Sequence, residues 1–316
     1  MAEQATNMSP LAAPDHAARL MRMATTASVA VACALIAAKF AAWVATESVS
    51  MLSTLIDSVL DAGASLINLL AVRHALTPPD REHRFGHGKA EPLAGLAQAA
   101  FIAGSGAFLV LQAIDRLISP HVVTRGDVGM AVMGFSVVMT IALVSFQAYV
   151  VRKTNSVAVA ADSVHYRSDV LVNLAVILSL FLATRYNMTW ADPAFALGVV
   201  GYMAWGAVTI TRQALDYLMD REFPDADRAR IRAIAMAHPG VLDLHDMRTR
   251  SSGPASFIQL HLEMARDLSL LDAHEIADEV MYEVEAAFPN AEVLVHMDPE
   301  GVEERRDDLP PSHTTN

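Results

Sequence analysis

MLSTLIDSVLDAGASLINLL, residues 51–70, and SVAVAADSVHYRSDVLVNLAVILSLFL, residues 156–182, are apolar runs that each carry two ionisable residues spaced i,i+4. The first holds Asp57 and Asp61, the second His165 and Asp169. On a helix this spacing puts both side chains on one face, a turn apart. Ionisable groups at membrane depth are costly, face a bundle interior or a water-filled cavity, and mark function. Three carboxylates and one imidazole together make a four-coordinate set for a divalent metal. One salt-bridged or hydrogen-bonded pair per helix would explain either pair alone. It explains both poorly, because no abundance of intramembrane Lys or Arg is there to neutralise them.

Outward from these runs, the 316-residue chain is 53% hydrophobic with a mean hydropathy of +0.32, the balance of a polytopic membrane protein with a soluble part. Six segments are long enough to cross a bilayer, near 24–46, 51–73, 92–118, 127–151, 157–183 and 194–218. A cytoplasmic N-terminus puts Arg19, Arg22, Arg73, Arg81, Arg84, Lys89, Arg152 and Lys153 inside and only Arg116, Arg125 and Arg185 outside. Basic residues favour the cytoplasmic side, so both termini are expected there. Counted along the helices at ~1.5 Å per residue, the Asp57–Asp61 and His165–Asp169 pairs then reach similar depth near mid-membrane. Lys39, toward the outer end of the first segment, is expected to snorkel to the interface.

Residues 1–20 read as a disordered N-terminal segment with no removable signal peptide, 21–220 as the transmembrane domain, 221–298 as a cytosolic domain and 299–316 as a disordered tail. The single cysteine, Cys33, excludes an intrachain disulfide and any cysteine-based zinc site. The formal net charge is −12, and the acidic excess after Glu222 excludes a nucleic-acid partner there. In the cytosolic part, FPDADRARIRAIAMAHPG predicts an amphipathic helix stopped at Pro239-Gly240. VLDLHDMRTR, SFIQLHLEM and AEVLVHMDP alternate as strands, and residues 270–288 give a second helix. The order αββαβ predicts an open-faced α+β sandwich, its helices on one side of an antiparallel sheet.

Three further groups of residues bear on chemistry. Asp162, a turn to the cytoplasmic side of His165, either caps its helix or lines an access path, while Asn68 and Asn173 are expected to hydrogen-bond between helices. Asp80, His83 and His87 flank a Phe-Gly turn in PPDREHRFGHGKAEP. They make either a weak, exposed metal site or simply a polar loop with two histidines. His245, His261, His274, His296 and Asp298 exceed what packing a small domain needs, and an imidazole-plus-carboxylate site with Asp298 bridging two metals fits them. His238 reads as a helix-end residue favoured by the dipole.

Taken together, SVSMLSTLIDSVLDAGASLINLLAVR, HRFGHGKAEPLAGLAQA, ADSVHYRSDVLVNLAV, HDMRTRSSGPASFIQLHLEM and VHMDP make the chain, from about Met21 to Pro299, resemble the cation diffusion facilitator family, in particular its bacterial zinc/ferrous-iron efflux branch. The resemblance implies a transport site at Asp57, Asp61, His165 and Asp169, a loop site at Asp80, His83 and His87, and a cytosolic binuclear site at His245, His261, His274, His296 and Asp298. It also implies a ferredoxin-like cytosolic domain, a homodimer in the bacterial inner membrane, exchange of metal for protons, and a salt bridge of Lys89 with Asp220.

The expected protein is therefore not an enzyme. It is a divalent metal/proton antiporter exporting Zn2+, with Cd2+ or Fe2+ as further substrates, and Zn2+ also in the cytosolic domain. An intramembrane metal hydrolase is disfavoured because the chain has no HExxH motif and no serine elbow. A metal sensor merely anchored in the membrane would not need the intramembrane ligands, and a carrier of an organic solute would not need four of them.

Overall fold

The computed structural model describes residues 14–302 apart from 48, 119–126, 187, 189 and 254. It divides into two compact units, Met1–Leu218 and Met219–Asn316. The first contains the helices α1 (Pro14–Thr46), α2 (Val49–Ala75), α3 (Ala90–Ile118), α4 (Asp127–Thr154), α5 (Val157–Tyr186) and α6 (Ala191–Leu218). Five of these, α1, α2, α3, α4 and α6, are both long and apolar enough to cross a membrane. α5 is as long, at 30 residues, but concentrates Asp162, Arg167 and Asp169 in its first half. The six expected crossings thus correspond to six long helices among the described residues.

The N-terminal boundary differs from expectation. Residues 14–20 are helical, and Ala17, Leu20 and Met21 are buried. Pro14 and Asp15 suit a first turn, where a missing N–H costs nothing and negative charge is favoured. Residues 1–13 and 303–316, expected to be disordered, lie outside the described residues.

Small residues set how closely the helices approach. A Cβ on Gly206 of α6 would lie 2.6 Å from Val164 Cγ1 of α5, and one on Gly95 of α3 would lie 2.8 Å from Val157 Cγ1. Glycine at these crossings lets backbones and β-branched side chains interlock, the usual packing device where lipid removes the hydrophobic drive between helices. Gly206→Ala should therefore lower stability by about 1–3 kcal/mol through overpacking. Gly201, where an added Cβ would meet nothing within 4 Å, is the matched control. Melting of the two purified variants checks this: the midpoint should fall for Gly206→Ala and hold for Gly201→Ala.

The second unit runs α7 (Asp225–Ala237), β1 (Asp243–Ser252), β2 (Ala255–Met264), α8 (Leu270–Ala287) and β3 (Ala291–Pro299). The αββαβ order is as expected, but the sheet is mixed rather than antiparallel. β1 pairs antiparallel with β2, whereas β3 lies parallel to β2. The reason is topological: α8 carries the chain back across the sheet, so the next strand starts from the same end as β2. Ile231 and Ala235 of α7 and Val280 and Val284 of α8 pack on Ile258, Leu260, Leu262 and Val293 of the sheet. Alternation then sends His261 of β2, between Leu260 and Leu262, to the face away from the helices.

Candidate metal sites

In the membrane unit, α2 contributes Asp61 and α5 contributes His165 and Asp169. The His165 imidazole is 3% exposed, with Nε2 3.2 Å from Asp61 Oδ1 and 3.8 Å from Asp169 Oδ2. Neither ring nitrogen makes a hydrogen bond of good geometry. Its ring is walled by Phe101, edge-on at 5.9 Å between centroids, and by Tyr166 at 5.4 Å. A buried ring nitrogen without a well-formed hydrogen bond is costly. One cation held among Nε2 and the two carboxylates would satisfy all three groups at once, and the donor types suit zinc and its neighbours. Of the expected quartet, the structure gathers Asp61, His165 and Asp169 so that their ligand atoms lie within 4.8 Å of one another. Asp57, a turn away on α2, is exposed and lies outside this group.

A second buried cluster lies one turn from His165. Asp162 Oδ2 accepts from Ser28 Oγ of α1 at 2.5 Å and from Gln147 Nε2 of α4 at 2.7 Å, while Oδ1 is 3.5 Å from Ser65 Oγ of α2. Ser65 Oγ also lies 2.9 Å from the Tyr166 hydroxyl. Asp162, Ser28, Ser65, Gln147 and Tyr166 are all buried. Asp162 therefore neither caps α5 nor lines an access path; it joins α1, α2, α4 and α5 at one level. The α5 N-terminus is served instead by Ser156 Oγ, accepting from Val159 N at 3.2 Å, and by Glu91 Oε1 of α3, accepting from Ala158 N at 3.5 Å. Asn68 does bond between helices, donating to Ala158 O at 3.2 Å. Asn173 does not, since its amide donates to Asp169 O of its own helix at 2.8 Å.

The loop cluster also assembles. Asp80 Oδ1 is 3.4 Å from His83 Nδ1, and Asp80 Oδ2 is 3.4 Å from His87 Nε2. The backbone N–H groups of His83 and Glu82 donate to Asp80 Oδ1 at 2.6 and 2.9 Å. These bonds, that of His83 foremost and aided by the neighbouring imidazoles, hold the Asp80 carboxyl below its ordinary pKa. It stays ionised, as a ligand must. His87 Nδ1 faces the Thr77 carbonyl at 3.4 Å, an orientation that leaves Nε2 for a metal. His74, at the end of α2, stands edge-on to His87 at 4.6 Å, a neighbour sequence reasoning missed.

On the open face of the sheet, His245, His261 and His296 occupy the same rung of β1, β2 and β3. All three turn to one carboxylate, Asp298, which is 4% exposed. Its Oδ2 lies 2.9 Å from His261 Nδ1 and 3.2 Å from His245 Nε2, and its Oδ1 lies 3.0 Å from His296 Nε2. Two overlapping ligand groups result: His261, His296 and Asp298, and His245, Asp246 and His261. Asp246 was not foreseen. Its φ of +43° falls where the β1–β2 register shifts between His245 and Arg248, so a bulge redirects a side chain that alternation would send elsewhere. His274 is elsewhere in this chain, paired with Asp278 on α8 at 3.6 Å. His238 ends α7 as expected, its Nε2 2.9 Å from Glu279 Oε2.

Lys39, Lys89 and Asp220 complete the residues singled out in the sequence. Lys39 does not reach for the interface; its ammonium donates to Ser58 Oγ of α2 at 2.6 Å and to Thr54 O at 3.2 Å. Lys89 donates to Leu218 O at 3.4 Å, and Asp220 pairs with Arg250 at 3.5 Å.

Comparison with known proteins follows the same division of the chain. The model of the cation efflux transmembrane domain matches residues 25–219, and that of the cation efflux protein cytoplasmic domain matches residues 223–300. The chain is 48% identical over 284 residues to a cation-efflux pump FieF of Klebsiella pneumoniae, covering 90% of this chain and 94% of that one. It is likewise 48% identical over 281 residues to FieF of Salmonella paratyphi A, covering 89% and 93%. Among solved structures, the zinc form of CzrB is 34% identical, covers 27% of this chain and 99% of that chain, and gives a TM-score of 0.26.

Proposed function

Because the chain belongs to the cation diffusion facilitator family of cation-efflux transporters, multi-pass membrane proteins and not enzymes, we propose that it is a metal/proton antiporter exporting zinc-like divalent cations from the cytoplasm. The observation that carries this reading is the buried His165 imidazole, without a hydrogen bond, between Asp61 and Asp169. Metal and protons compete for such a set, since imidazole binds metal only when neutral and carboxylates only when ionised. On the acidic side protonation ejects the metal; on the cytoplasmic side the metal displaces protons. Asp57 supplies the fourth ligand by joining the trio once metal is present, and helix rocking exposes the site alternately to the two sides.

Zn2+ is the substrate the mixed nitrogen and oxygen donors favour, with Cd2+ and Fe2+ as alternatives. The protein works as a homodimer in the bacterial inner membrane with both termini cytoplasmic. In the cytosolic unit, His245, His261, His296 and Asp298, with Asp246 beside them, bind metal that supports dimerisation or regulation, while His274, paired with Asp278 on α8, stands apart from that set. The Asp80–His83–His87 loop is a weaker site near the cytoplasmic mouth.

Zinc flux into reconstituted vesicles carrying an imposed pH gradient tests the proposal. Uptake should follow the gradient and stop when a protonophore collapses it. Zinc flux indifferent to the gradient would remove the antiport step. Absence of flux with zinc still bound by the protein would leave a sensor.

A further inference from the structure

We propose that Lys39 is the resident counter-charge of the membrane site, an ammonium that balances the metal-loaded ligand set and limits how tightly the metal is held. The inference rests on Asp57, Asp61, His165 and Asp169 being the transport ligands.

Lys39 sits seven residues before the end of α1 at Thr46, ~10 Å along the axis. A lysine so placed can extend its flexible stem toward the headgroups. This one turns inward instead. Its Nζ donates to Ser58 Oγ at 2.6 Å and to Thr54 O at 3.2 Å. Ser58 is buried and stands on α2 between Asp57 and Asp61. The ammonium is thus fastened to the turn of α2 that carries both carboxylates.

Charge counting gives the anchorage a purpose. Three carboxylates, a neutral imidazole and a divalent cation sum to a net charge of minus one, which is costly away from water. The Lys39 ammonium brings the sum to zero. It also repels the metal, and a transport site must hold its cargo weakly enough to let it go. Ser58 and the Thr54 carbonyl keep the ammonium beside the carboxylates while leaving their oxygens to the metal. The lysine acts through the ligands and is a positioning residue.

The test compares zinc flux by the reconstituted full chain as wild type, Lys39→Gln, Lys39→Met and Lys39→Arg, with zinc affinity measured on the purified proteins by chelator competition in an Asp298→Ala background. Glutamine can still hydrogen-bond Ser58 but carries no charge. Lys39→Gln and Lys39→Met should bind zinc about tenfold more tightly, as expected for losing a nearby like charge. Their half-saturating zinc and maximal rate should fall together, and Lys39→Arg should move both back toward wild type. Wild-type affinity in Lys39→Gln overturns the proposal, as does loss of flux in all variants, arginine included, with affinity unchanged. Asp61→Ala separates this outcome from failure of the underlying site. If that variant still transports, the transport site itself is misplaced. If it is inactive while Lys39→Gln binds zinc as wild type does, only the counter-charge fails.

Discussion

Vesicles carrying the Asp61→Ala chain should transport zinc at no more than about a hundredth of the wild-type rate. Loss of a residue that merely orients a ligand already costs roughly 10–100-fold in affinity or activity, and Asp61 is placed as a ligand itself. Its Oδ1 is 3.2 Å from His165 Nε2, and among the described residues Asp61 is the α2 member of the trio. Alanine leaves His165 and Asp169 of α5 with only the more distant Asp57 to recruit from α2, and three ligands do not complete the tetrahedron. The Asp162 cluster does not involve Asp61, so the melting temperature should stay close to wild type and the loss should be one of function. Flux within tenfold of wild type in a folded Asp61→Ala protein would put the transport path elsewhere.

The second large effect is expected at Asp298. In the full-length protein, zinc should raise the unfolding midpoint of the cytosolic unit, because a ligand bound only by the folded state stabilises it by about 4 kcal/mol at a thousand times its dissociation constant. Asp298→Ala should remove most of this shift. One buried carboxylate lies within 3.2 Å of three imidazoles on three strands, so its loss removes the one group that all three imidazoles face. Glu292→Ala, on β3 but outside either ligand group, should leave the zinc-dependent shift intact. Differential scanning calorimetry with and without zinc reads both. A full zinc shift in Asp298→Ala would mean that the histidines bind metal without it.

Much of the architecture was legible because it rests on short-range rules. The i,i+4 spacing placed His165 and Asp169 on one face of α5, and depth counting brought Asp61 opposite them. Strand alternation put His261 and His296 on the open face. What escaped depended on rotamers and on the way elements are joined. Asp57 obeys the same spacing as Asp61, yet helices that cross at one point bring only the nearer turn into contact. The lysine stem of Lys39 can reach several ångströms in any direction, and sequence does not say that it turns to Ser58. Asp246 owes its place to a bulge, which breaks the period of two on which strand reading depends. The parallel pairing of β2 and β3 was implicit in the strand–helix–strand order, and expecting an antiparallel sheet overlooked what the α8 crossover requires.

Leverage follows from the Asp162 cluster. Four helices bolted at one level cannot slide past one another there without stripping a buried carboxylate of its donors, a loss of several kcal/mol. If the proposed rocking pivots about that level, displacement grows with distance from the pivot. His165 lies three residues from Asp162 along α5, ~4.5 Å of axis, whereas Asp57 lies eight residues from Ser65 along α2, ~12 Å. Such a rotation would move Asp57 about two to three times as far as His165. A fulcrum set this close to the imidazole would let the helix ends swing wide while the innermost donor stayed nearly still.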